Sequence, residues 1–159
     1  MRNRRIKTTL IGLGLLAVLS TTLYGAASAH HARPSIVGTW EVTVPTSAGN
    51  PRPTFYALLT FFADGNFIEG NSSNPAVTTP AHGVWVGSGG NYRLTFETFT
   101  FDAQGVYTGR VKAYITITMD SADHINISYT ADLIDPAGNV TKNVLYGPAD
   151  GTRLKVERP

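Results

Sequence analysis

The sequence predicts an all-β domain, an eight- or nine-stranded antiparallel up-and-down β-barrel, and three observations carry that reading. Apolar and polar residues alternate with period two along several stretches, most strictly over residues 106–119. Clusters of Gly, Pro, Asn and Asp separate these stretches at the short spacing of hairpin turns. Beyond the N-terminal segment no window carries a helical period. Neighbours in sequence then read as neighbours in space, and closing the sheet removes its exposed edges.

The first strand, residues 35–44, organises the rest. Trp40, Val42 and Val44 share one face, and Thr39, Glu41 and Thr43 the other. Gly38 is expected to let the backbone pass close to the indole, and Trp40 to plug one end of the barrel. Residues 45–53, with Pro, Ser, Gly and Asn, form a loop. Residues 54–63 are the second strand, and their nearly continuous apolar run predicts burial on both faces. Asp64–Gly65 makes a tight hairpin turn, and residues 67–70 return as a short third strand. Residues 71–80 are a loop at one barrel mouth.

Residues 81–86 are the fourth strand and carry Trp85. Residues 92–101 are the fifth. There Tyr92, Leu94 and Phe96 share one parity while Phe99 and Phe101 share the other, which predicts a β-bulge near Glu97–Thr98. The sixth, residues 106–119, places Tyr107, Gly109, Val111, Ala113, Ile115, Ile117 and Met119 on one face. Ile125, Ile127, Tyr129, Ala131 and Leu133 repeat the pattern on the seventh. The last strand, residues 140–146 and 152–157, is broken at Gly147–Gly151 or splits into two.

The N-terminus reads separately. Arg2, Arg4, Arg5 and Lys7 precede an apolar run that ends in the small-residue site Ala27–Ser28–Ala29. That order predicts a secretory signal peptide over residues 1–29, a secreted or periplasmic product, and no stable membrane insertion after cleavage. A polar tail, residues 30–35, precedes a single domain over residues 36–159. Its His30–His31 pair offers two imidazoles near a new amino terminus, but two nitrogens fall short of a metal site. Without the basic leader, nine Lys and Arg face eleven Asp and Glu, a formal charge of −2. This gives no basis for nucleic-acid binding. The chain has no cysteine, so packing alone must stabilise an exported fold.

The residues Gly38–Thr39–Trp40–Glu41–Val42, Leu59–Gly65 and Gly83–Val84–Trp85, set in a short-hairpin meander, resemble the calycin superfamily of lipocalins, fatty-acid-binding proteins and avidins. They are most similar to small exported bacterial lipocalin-like proteins. The resemblance implies an eight-stranded barrel holding a small hydrophobic or aromatic molecule at its open end. It also implies that Arg153 packs on Trp40. The chain departs from lipocalins in having no helix after the last strand and no disulfide, and with two tryptophans it lacks the avidin pattern.

No catalytic, phosphate-cradling or metal-binding signature appears. No metal or cofactor is implied. Expected ligand-contacting residues are Tyr56, Trp85, Glu97, Tyr107 and Tyr129, aromatic or polar groups on largely apolar strands. Small residues at Gly109, Ala113 and Ala131 favour a cavity over a filled core. Three readings follow. The first is a binding protein for a small hydrophobic molecule, with a pocket of roughly 300 Å³ or more. The second is a cofactor-independent isomerase or cyclase, in which Glu97 or His82 moves a proton and a tyrosine stabilises negative charge. The third is an interaction domain with a filled core, set apart by having no void above roughly 300 Å³. An outward Glu97 paired with Arg93 or Lys112 belongs to the bland alternative.

Overall fold

The structure is a computed structural model that describes residues 35–158. The expected signal peptide and residues 30–34 lie outside the described residues. The described chain is all β: β1 (Gly38–Val44), β2 (Phe55–Phe61), β3 (Asn66–Asn71), β4 (Ala81–Ser88), β5 (Asn91–Phe101), β6 (Tyr107–Met119), β7 (His124–Ile134) and β8 (Val140–Arg153). Each strand pairs antiparallel with the next, and β1 pairs with β8, closing an eight-stranded up-and-down barrel. Side chains of one parity fill the lumen, as strand geometry requires.

Two expectations about strands give way. β8 is continuous through Gly147–Gly151, because Ser128 keeps its place opposite Pro148 and Asn126 opposite Asp150. Tyr146 donates its backbone N–H to Gly49 O, on the side away from β7. The nitrogen of Pro148, two residues on, shares that side, so no bond to β7 is lost. The bulge expected near Glu97–Thr98 is also displaced, since the register of β5 on β6 shifts only between Thr100 and Phe101. Tyr92, Leu94, Phe96 and Thr98 therefore all face inward on one parity, and Phe99 is exposed.

Likewise β2 buries one face, not two. Ala57, Leu59 and Phe61 are inside, while Tyr56 and Leu58 stand 63% and 49% exposed on the outer wall. The tight approach of Gly109 is to the next strand: its φ is +134°, and a Cβ would lie 2.3 Å from Ile134 O. It serves strand contact, and the cavity does not reach it.

One end of the barrel is plugged. Trp40 is fully buried and its Nε1–H donates to Ile36 O at 2.8 Å. Phe61 packs on Phe67 and, edge-on, on Trp85, with ring centroids 5.1 and 6.1 Å apart. Trp85 meets Tyr92 edge-on at 5.7 Å and donates Nε1–H to Phe62 O. Ile117 and Ile125 complete this layer with no exposed surface. Each such large apolar side chain contributes roughly 1.5–3 kcal/mol by leaving water.

Arg153 seals the plug at the closing seam. Its guanidinium lies 4.2 Å from the Trp40 ring centroid. Nη1 donates to Val37 O, Nη2 to Ser35 O and Nε to Ala122 O. One planar cation thus joins the entry to β1, the β6–β7 turn and β8. Gly38 makes room for it: at φ +127° a Cβ would stand 2.9 Å from Arg153 Nη1. The glycine accommodates the guanidinium, where the sequence suggested the indole.

Arg153→Met is expected to lower unfolding free energy by about 2–4 kcal/mol, since three carbonyls lose a charged donor. Arg153→Lys should recover less than half, because a point charge cannot span the three acceptors. Urea titration of the three proteins measures this, and a loss under about 1 kcal/mol in Arg153→Met would count against a sealing role.

Candidate functional site

Above the plug the lumen is hollow. Small side chains produce the space: Ala57, Ala113, Ala131 and Ala149 all face it and are all buried. Ala113 and Ala131 are direct partners across the β6–β7 ladder, so two truncated side chains lie side by side. Val42, Leu59, Ile115 and Ile127 complete the apolar wall. The cavity measures about 130 Å³, well under the expected 300 Å³. A dry cavity of roughly that size accepts benzene, so the space suits one six-membered ring.

The mouth is polar. Glu69 and Asn71 come from β3, Thr98 from β5, Tyr129 from β7, Arg52 from the β1–β2 loop, and Ser73 and Thr78 from the segment after β3. That segment is stitched to β5: Thr79 N–H donates to Phe99 O, Phe101 N–H to Val77 O, and Thr98 Oγ1 to Thr79 O at 2.7 Å. The β1–β2 loop is anchored on the opposite side. Ser47 and Asn50 exchange backbone hydrogen bonds, and Gly49 packs so closely on Tyr146 that a Cβ would lie 2.4 Å from its ring.

Glu69 is the central polar group. It is 5% exposed and accepts one hydrogen bond, from Asn71 Nδ2 to Oε1 at 2.8 Å. Burial pushes its carboxyl pKa above the ordinary value, and the Asn71 bond and the Arg52 charge offset this in part. Arg52 sits at the rim, its guanidinium 4.7 Å from the Phe55 ring centroid and its Nε donating to Asn50 Oδ1 at 3.0 Å. Burial draws the Arg52 pKa down, against the pull of Tyr129 and Glu69, and the side chain remains a cation. The Tyr129 phenol is pushed up by burial and drawn down by Asn50 and Arg52. Asn50 and Tyr129 do not complete a hydrogen bond: Asn50 Nδ2, Tyr129 Oη and Ser47 Oγ are all buried without a partner.

Of the expected ligand-contacting residues the structure brings Tyr129 alone to the cavity, where the expected small residues Ala113 and Ala131 also lie. Glu97 stands on the outer wall, with Arg110 Nε 3.1 Å from Oε2 and Lys112 Nζ 3.2 Å from Oε1. Uninterrupted alternation along β5 sends it there, so it is the outward, paired carboxylate. His82, opposite Glu97 in the ladder, is also outside. Tyr56 is on the outer wall of β2, and Tyr107 packs on Phe99 and Phe101 away from the cavity. Trp85 belongs to the plug.

Sequence reading overlooked Glu69, although β3 carries the signal. Phe67 and Glu69 share parity, so a core Phe67 carries Glu69 inward with it. Asn50 and Arg52 sit in an irregular loop with no period to place them. Among the described residues no group of three or more His, Cys, Asp or Glu is placed to hold a metal ion. Comparison with protein-family models, curated proteins and solved structures finds no match.

The Glu69 shift has a definite sign in stability. The folded state holds its proton more tightly than the unfolded chain, so stability falls as pH rises through the window above the ordinary value of 4.5. Glu69→Gln keeps an acceptor for Asn71 and removes the charge. It is expected to melt higher than the parent at pH 8, with the difference closing as the pH approaches 4.5. Melting curves across that range check this, and a constant or reversed difference would exclude a buried carboxylate.

Proposed function

We propose that this chain is an exported, lipocalin-like barrel that binds one small hydrophobic or aromatic molecule in its lumen. The observation that carries the reading is the hollow itself. Four alanines stand where larger side chains would fill the barrel, while the opposite end is packed solid with rings. Natural cores lose stability by leaving such space, since each missing methylene forfeits contacts. A lumen apolar at depth and polar at its mouth is what orients a ligand. The export signal read from the sequence supports a secreted or periplasmic setting.

A second reading rests on Glu69. A buried carboxyl with a raised pKa, close to a tyrosine and an arginine in one cavity, has the parts for cofactor-independent proton transfer. Glu69→Gln separates the two readings, leaving affinity nearly intact in a binder and abolishing turnover in an enzyme.

Titration with toluene, followed by amide chemical shifts, tests the binding reading. Saturable shifts are expected at lumen-facing positions of β6 and β7. Ala131→Leu should weaken toluene binding at least tenfold while melting no lower than the parent, because the added side chain enters existing space. Unchanged affinity in Ala131→Leu, or no saturable shifts in the parent, would refute a lumen site.

A further inference from the structure

Three buried donors lie beside the polar mouth, and of their residues Tyr129 lines the cavity. Asn50 is fully buried, and its Nδ2 has no hydrogen-bond partner. The Tyr129 hydroxyl and Ser47 Oγ are buried and unpartnered in the same way. Both lie around Gly147: a Cβ there would come 3.0 Å from Ser47 Oγ and 3.4 Å from Tyr129 Oη. The glycine lets both groups approach the β8 backbone closely. Asn50 belongs to the same cluster, since its backbone exchanges hydrogen bonds with that of Ser47. Buried polar groups without partners are costly to keep and call for an explanation. All three can donate a hydrogen bond, and the Asn50 amide nitrogen can do nothing else.

A positive charge accompanies these donors. Arg52 lines the cavity and is held by Asn50 Oδ1 and the Phe55 ring. Among the described residues no carboxylate comes within 4.0 Å of its charged nitrogens, so the cation has no ion-pair partner. Glu69 acts on it only from a distance. Neutral donors beside an unpaired guanidinium suit an acceptor that carries negative charge and two oxygens, which is a carboxylate. The apolar chamber below has room for one ring.

Resting on the binding reading above, we infer that the ligand is a single-ring monocarboxylate, its ring among the alanines and its carboxylate toward Asn50, Ser47, Tyr129 and Arg52. A single-ring alcohol fills the same chamber but brings one oxygen and no charge for the guanidinium, and a hydrocarbon brings neither.

Calorimetric titration of the full folded chain with benzoate, benzyl alcohol and toluene tests this. Benzoate is expected to bind at least tenfold more tightly than either neutral probe. Tyr129→Phe removes one donor and keeps the ring. Asn50→Asp keeps the acceptor for Arg52 and replaces the donor with an acceptor. Each should lower the ratio of benzoate to toluene affinity about tenfold. Toluene binding as tightly as benzoate in the parent chain would overturn the carboxylate assignment and leave the binding reading standing. Binding of none of the three would overturn both. Should either variant fail to fold, the order of the three probes in the parent chain decides alone.

Discussion

The stack of Arg153 on Trp40 is the contact on which the rest of this barrel depends. A closed sheet needs its first and last strands to meet, yet β1 pairs with β8 over four residue pairs only, Trp40–Thr43 against Asp150–Arg153. Four pairs form a short seam for a chain with no disulfide. The guanidinium compensates by reaching past the seam to three carbonyls, two before β1 and one in the β6–β7 turn. The cation–π contact with the indole adds to those bonds. The ring beneath is itself fixed through Ile36 O. Closure, plug and entry of the chain are therefore one structural unit.

Because that end is rigid, the other can be open. The packed layer of Trp40, Phe61, Phe67, Trp85 and Tyr92 supplies stabilisation that the hollow half forgoes. The polar mouth costs more still: a carboxyl is buried with a single side-chain bond, and three further polar atoms lack partners. Buried polar groups without partners are rare in native structures, and each calls for an explanation. Here they gather beside one cavity, which is the pattern expected where binding and not folding sets the residues.

The barrel was legible in the sequence because alternation with period two is a direct imprint of a one-sided sheet. β6 and β7 show this best, since every inward residue from Val111 to Met119 and from Ile125 to Ala131 is apolar save the aromatic Tyr129. The site was less legible for two physical reasons. Exposed aromatics imitate buried ones: Tyr56 and Leu58 make β2 look buried on both sides, and Phe99 makes β5 look bulged. Composition cannot separate these cases, whereas parity counted from a fixed core residue can, and it would have brought Glu69 in with Phe67. Nothing comparable locates Asn50 or Arg52, whose positions depend on a loop held by Tyr146 of β8.

The central claim is a barrel solid at the Trp40 end and hollow at the other. Crystals pressurised with xenon test it most directly, since xenon enters dry apolar cavities and avoids packed cores. The account predicts a xenon atom bordered by Ala57, Ala113, Ala131 and Ile127, and none within contact of Trp40 or Ile117. A lumen that takes up no xenon, its space filled by side chains, would contradict it.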